Sequence, residues 1–120
     1  MATILTADDT ATMRQMISFT LGSVGHDVTQ ATDGAEALQI ARSRKFDLVI
    51  ADINMPNMDG ISLVKSLREL PDYRFTPILI LTTESQEEKR QEGRSAGATG
   101  WIVKPFNPDQ LLTVVKKVLG

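Results

Sequence analysis

Cysteine is absent from the chain, which excludes disulfides and thiolate metal sites and fits a reducing compartment. Charge of one sign is not in excess: 13 Lys and Arg stand against 15 Asp and Glu, for a net charge of −2. There is no basic arm or tail, so there is no electrostatic footprint for nucleic acid. No apolar run comes near the roughly 20 residues a bilayer requires, so no membrane role is expected. The opening residues, Met1-Ala2-Thr3-Ile4-Leu5, lack a basic region and run straight into a strand-like pattern, so no signal peptide is expected. Repeats, linkers and low-complexity segments are missing as well. What remains is 120 residues, 42% of them hydrophobic, which suits one domain with a real core.

Along the chain, strand patterns alternate with helical ones. Thr3 to Ala7 reads as a strand ending on Asp8-Asp9. Met13, Met16, Ile17, Thr20, Leu21 and Val24 recur at helical spacing, and Gly25 punctuates the end. Val28 to Ala31 alternates like an edge strand, Asp33-Gly34 is a turn, and Ala35, Leu38 and Ala41 mark a second helix. Asp47 to Ala51 is a continuous apolar strand that delivers Asp52. Asp59-Gly60 sits at the N-cap of a helix carrying Ile61, Val64, Leu67 and Leu70, which Pro71 stops. Ile78 to Leu81 is a strand ending on Thr82-Thr83, and Trp101 to Val103 is another, ending on Lys104-Pro105. A last helix carries Leu111, Leu112, Val115, Val118 and Leu119.

Five such β-α units imply an α/β, doubly wound parallel sheet with helices on both faces, and the order 2-1-3-4-5 is favoured. In a parallel sheet all strand C-termini lie on one edge. Asp8, Asp9, Asp52, Thr82, Thr83 and Lys104 therefore share that edge, and the order makes the first and third strands neighbours. Carboxylates that converge repel unless something positive sits among them. Mg²⁺, a hard cation that takes carboxylates, waters and phosphate oxygens, is the natural answer, and Lys104 adds a second positive charge. A carboxylate nucleophile, a metal, an ammonium and a hydroxyl suit phosphoryl transfer. The residues point to an aspartyl phosphate at Asp52. Singly, Asp9 is as easily an ordinary helix cap and Lys104 a solvated strand end; together, on matching strand ends, they make chance a poor account.

These residues also carry a resemblance. Asp8-Asp9, Asp52, the run Asn54-Met55-Pro56-Asn57-Met58-Asp59-Gly60, Thr82 and Lys104-Pro105-Phe106 resemble the receiver domains of two-component response regulators, over the whole chain. Within that family the likeness is to the stand-alone chemotaxis regulators. The resemblance implies a flavodoxin-like (βα)5 fold forming a single receiver domain over residues 1–120, with no output domain. It implies a phosphoacceptor at Asp52, Mg²⁺ held by the carboxylates of Asp9 and Asp52 and the backbone carbonyl of Asn54, and Asp8 acting through water. Thr82 and Lys104 bind the phosphoryl group. Trp101 takes the position of a switch aromatic, and Asn54 and Glu84 match positions that tune dephosphorylation. The implied partners are a histidine kinase, a downstream protein such as the flagellar motor switch, and a phosphatase, for a monomer in the cytoplasm. Kinase recognition is expected on the first helix, around Thr10 to Met16.

Two features depart from that pattern. Thr83 is β-branched where the family often has a smaller residue, and Trp101 is larger than the usual Tyr and lacks its hydroxyl. The segment Gln86 to Ala96 has almost no apolar face, although packing such a face supplies most helical stability. Gly93 costs a further ~1 kcal/mol relative to alanine in a helix interior. Two readings stand: a solvated surface helix, or a marginal one that orders on phosphorylation.

The rival readings are weaker. A haloacid dehalogenase-type enzyme carries a second acid two residues after its nucleophile, where this chain has Asn54. A flavodoxin-like cofactor binder needs a phosphate-cradling loop after the first strand, where Asp8-Asp9 would repel one. A pseudo-receiver that ignores phosphate has no need of the full acid, Thr and Lys set. A relay intermediate or a pilus-motility regulator remains open beside the flagellar role.

Overall fold

A computed structural model describes residues 1–83 and 85–120; the expectation for Glu84 lies outside the described residues. The chain runs β1 (Thr3–Ala7), α1 (Ala11–Gly22), β2 (Asp27–Ala31), α2 (Gly34–Ser43), β3 (Leu48–Asp52), α3 (Gly60–Arg68), a 3-10 turn (Pro71–Tyr73), β4 (Ile78–Thr83), α4 (Glu87–Ala96), β5 (Gly100–Lys104) and α5 (Pro108–Leu119). All strand pairs are parallel, in the order β2-β1-β3-β4-β5. This is the flavodoxin-like arrangement expected from the alternation.

The side-chain period of two along each strand builds two cores. Leu5, Ala7, Val49, Ala51, Ile78 and Ile80 face one way and pack with Ala37, Leu38, Ala41, Leu63, Val64 and Leu67 of α2 and α3. Ile4, Leu48, Ile50, Leu79 and Leu81 face the other way, against Ile17 and Leu21 of α1 and Leu111 and Val115 of α5. Burial on both faces explains why β1, β3 and β4 read as unbroken apolar runs. Truncating any of these Leu or Ile side chains to alanine removes about 2–5 kcal/mol.

Local chemistry sets the helix ends. Asp33 and Asp59 cap α2 and α3 by accepting from the amides of Glu36 and Ser62 at 2.8 and 2.7 Å. Asn107 and Gln110 form a reciprocal capping box at α5. Three expectations shift. α1 ends at Gly22, because Gly25 (φ 95°) turns the chain there, so Val24 falls in the turn and is exposed. In α2 Leu38 and Ala41 are buried as expected, together with Gly34 and Ala37, while Ala35 faces solvent. α3 ends at Arg68, so Leu70 lies beyond it and Pro71 opens the 3-10 turn instead of stopping the helix.

The polar α4 is a helix, and Gly93 is its one buried residue. A Cβ there would come within 2.5 Å of Ile80 Cδ1. The glycine that looked only costly is what lets a helix without an apolar stripe lie close on the sheet. At its other end Gly97 (φ 113°) is the left-handed cap, and its carbonyl accepts from Arg68 Nε and Nη2 at 3.0 and 2.8 Å.

Candidate functional site

The C-terminal ends of β1, β3, β4 and β5 bring together most of the residues expected at this edge. Ala7 pairs with Ala51 and Thr82 with Val103, so Asp8, Asp52, Thr82 and Lys104 follow their strands to the same rim. One carboxylate oxygen from each of Asp8, Asp9 and Asp52 lies within 4.8 Å of the others. Asp8 is fully buried and Asp52 nearly so, while Asp9 faces solvent. Lys104 Nζ donates to Asp52 Oδ2 at 3.0 Å and stands 3.5 Å from Asp8 Oδ2.

Burial pushes the Asp52 carboxyl above its ordinary range; the Lys104 hydrogen bond and charge and the Asn54 backbone amide pull it down, and the Asp8 charge pushes it up. The balance is upward, so the Lys104 ammonium does not fully offset the burial of the Asp52 carboxylate. Further cationic charge at this edge would favour the ionised form.

Of the four buried side-chain oxygens without a hydrogen-bond partner among the described residues, two lie at this rim: Asp8 Oδ2, which accepts no hydrogen bond, and Thr82 Oγ1. Natural proteins rarely leave such atoms alone. An anionic oxygen set of three carboxylates with an orphaned member fits a hard divalent cation that takes oxygen ligands. The orphaned Thr82 hydroxyl is a donor free for an incoming oxygen.

Backbone contacts fix the acids. Asp8 Oδ1 accepts from the Thr10 amide at 2.8 Å, and Arg14 Nη1 donates to the Asp8 carbonyl at 2.7 Å. A Cβ on Gly60 would come within 2.2 Å of the Asp52 carbonyl oxygen, so only glycine lets α3 start against the end of β3. The Lys104-Pro105 peptide is cis.

The remaining expected residues sit around this centre. Asn54 is exposed in the loop after β3. Thr83 is exposed, its Oγ1 2.9 Å from Ser85 Oγ. Trp101 lies on β5 at 36% exposure, with the Arg94 guanidinium 5.7 Å from its ring centroid, a cation–π distance. With Phe106 and Val114 it lines a groove of ≈ 450 Å³ between β5 and α5.

Sequence reasoning missed a second set. Asn57 Nδ2 donates to Asp33 Oδ2 at 2.7 Å, and the Gly34 amide donates to the Met58 carbonyl at 3.1 Å. The signal was present: Asp33 precedes Glu36 by three positions, the spacing of a capping box, yet only a turn was read there. Met55 and Met58 lie in the loop after β3 and pack on the buried cluster of α2 and α3.

The response regulator receiver domain family matches residues 4–116. The chemotaxis protein CheY-3 of Vibrio cholerae is 39% identical over 116 residues, covering 96% of this chain and 89% of that protein. The structure of the chemotaxis response regulator CheY4 of Vibrio cholerae superposes with a TM-score of 0.94 at 52% identity, covering 98% of each chain. The receiver domain of the sensor histidine kinase PA1611 of Pseudomonas aeruginosa superposes with a TM-score of 0.92 at 28% identity, covering 99% of this chain and 98% of that one; its structure has a magnesium ion coordinated in the active-site cleft.

Proposed function

Because the chain belongs to the response regulator receiver domain family, we propose that it is a single-domain response regulator whose Asp52 accepts a phosphoryl group from a histidine kinase. It reports phosphorylation by changing its binding to a protein partner, the flagellar motor switch of a chemotaxis system. One observation carries the reading: Lys104 Nζ lies 3.0 Å from Asp52 Oδ2 at a rim where Thr82 Oγ1 has no partner among the described residues. The chemotaxis assignment is supported by the names of the two Vibrio cholerae relatives. No helix among the described residues is long and apolar enough to cross a membrane, and the proposed setting is a monomer in the cytoplasm, where a phosphatase resets it.

A carboxylate oxygen of Asp52 attacks the phosphorus of a phosphohistidine. The O–P bond forms as the P–N bond breaks, and the imidazole nitrogen leaves with the electron pair and takes a proton from solvent. The Lys104 ammonium, already paired with Asp52, donates to the phosphoryl oxygens as their charge shifts. Thr82 turns its buried hydroxyl to the group once it has arrived. Asp8, Asp9, Asp52 and the Asn54 backbone carbonyl would hold Mg²⁺, which when bound supplies positive charge against the transferring oxygens. Thr83 and Trp101, one residue and one strand away from Thr82, carry the change to the groove beside α5. Asn54 and Glu84 tune hydrolysis by placing the attacking water.

Titration of Trp101 fluorescence with Mg²⁺ and then beryllofluoride or phosphoramidate tests this, beside intact mass and an Asp52→Ala control. The expected result is a fluorescence change with either reagent and, with phosphoramidate, a mass gain of one phosphoryl group, each dependent on Mg²⁺ and Asp52. A protein that gains no mass, under conditions that phosphorylate a comparable receiver, is a pseudo-receiver and the reading fails. A phosphorylated mass with silent fluorescence removes Trp101 from the switch.

A further inference from the structure

The loop between β3 and α3, residues 53–59, has no regular structure. Loops of this kind are usually the mobile part of a fold. This one carries Asn54, whose backbone amide hydrogen-bonds to Asp52 and whose carbonyl belongs to the proposed ligand set. A loose loop would let that stretch of backbone drift. Something outside the loop must therefore keep it in place.

Ile53, the loop's first residue, is anchored by burial and by its amide, which donates to the Leu81 carbonyl at 3.3 Å, and the far half of the loop is held from the start of α2. Asp33 is a bridge: its Oδ1 accepts from the Glu36 amide at 2.8 Å and its Oδ2 accepts from Asn57 Nδ2 at 2.7 Å. One carboxylate thus ties a helix N-terminus to the loop by charge-assisted hydrogen bonds. Asn57 has φ 66°, the one positive φ outside glycine among the described residues. Such a conformation persists only where its surroundings hold it. Next to it, Gly34 approaches so closely that a Cβ would come within 2.2 Å of the Met58 carbonyl oxygen. The same end of the sheet is fastened to the first acid, since the Asp8 amide donates to the Ala31 carbonyl at 3.1 Å. The connection between β2 and α2 thus braces the backbone beside Asp8 on one side and the loop that follows Asp52 on the other.

We propose that Asp33, Gly34 and Asn57 form a latch that positions the loop after β3 against Asp52, and that the latch sets how tightly the acidic cluster binds its divalent cation. These are positioning residues, outside the acidic cluster itself. The inference rests on the receiver reading above.

The test exploits the chemistry of the pair. Asp33→Asn keeps a good N-cap but loses the charge-assisted bond, leaving Asn57 at most a neutral partner reached by flipping its amide. Asn57→Gly keeps a residue at ease with positive φ and removes the donor without changing charge. The double variant Asp33→Asn with Asn57→Asp rebuilds the same bond with donor and acceptor exchanged and net charge unchanged. Calorimetric titration with Mg²⁺ alone is expected to show each single variant binding about 10-fold more weakly, the usual scale for losing a partner behind the ligands. The double variant recovers to within about 3-fold of the wild type. Phosphorylation by phosphoramidate at saturating Mg²⁺ stays within about 2-fold in all of them, the split that separates cation binding from chemistry.

Wild-type affinity in both single variants overturns the latch. Loss in Asp33→Asn with none in Asn57→Gly overturns it too, since the Asp33 charge alone would then explain the effect. Failure of the exchanged pair to recover affinity also overturns it. A wild-type protein that takes no phosphoryl group refutes the receiver reading instead, which keeps the two failures apart.

Discussion

Replacing Arg68 with methionine keeps most of the stem and removes the guanidinium. That group ends α3 and feeds three carbonyls at 3.0 Å or less, Gly97 through Nε and Nη2 at 3.0 and 2.8 Å and Tyr73 and Thr76 through Nη1 at 2.6 Å each; a fourth, that of Arg74, lies 3.4 Å from Nη1 and adds little. It ties the end of α3 to the 3-10 turn, the approach to β4 and the cap of α4. Partial burial lowers its pKa, so the guanidinium sits in a site that already costs desolvation. Hydrogen bonds from charged donors are worth about 1.5–3 kcal/mol, but partly exposed carbonyls regain water, so about 1 kcal/mol per carbonyl is a fair net. Three carbonyls give about 3 kcal/mol. At this chain length each kcal/mol moves the midpoint by about 4 °C, so Arg68→Met should melt about 12 °C lower by calorimetry. Arg68→Lys has no planar fork and should recover about half. Hydrogen exchange should show α4 losing protection, because its apolar face is too small to hold it once the cap is released. A drop under about 3 °C, or full recovery by lysine, would refute the clamp.

Thr82→Val removes a buried hydroxyl that has no partner among the described residues; the unphosphorylated protein should be about 1 kcal/mol more stable in urea, while the phosphoryl group on Asp52 is gained more slowly. Lower stability would mean the hydroxyl is satisfied after all. Gly60→Ala forces a Cβ onto the Asp52 carbonyl, so it should both destabilise the fold by about 1–3 kcal/mol and slow phosphorylation, read by denaturation and intact mass. Asp47 is held below the usual carboxylate range, first by the Thr3 amide and further by the Thr3 hydroxyl and the charges of Lys45 and the N-terminus, against a small burial cost. A depressed folded pKa stabilises above the unfolded value and is lost as pH falls through the folded one. Urea midpoints should therefore fall on acidification below about pH 4, and fall less in Asp47→Asn; identical slopes would count against the assignment.

Much of this was legible in the residues themselves. The apolar runs of β1, β3 and β4 are unbroken because both faces are covered, and Asp8, Asp52, Thr82 and Lys104 were placed on one rim by strand alternation alone. The misplaced details share a cause. Val24 and Leu70 fit a helical period that the chain abandons earlier, at glycine and at the start of a 3-10 turn. Periodicity reports an apolar face, and hydrogen bonding in the turn decides where it stops. Gly93 was read as a helix defect because propensity is a property of one residue, whereas its close approach to Ile80 is a property of two elements.

The sequence by itself determined the class of sheet, the strands that lie at its centre and the charges that meet at its C-terminal edge, because side-chain period and the geometry of a parallel sheet are local rules. Only the tertiary structure decided that Asp8 and Thr82 would be buried with unsatisfied oxygens, that one arginine would serve three separate segments, and that Asp33 would reach across 24 positions to Asn57. Those depend on which surfaces are packed together in space, and hydrogen-bond partners distant in the chain leave no period for a sequence to show.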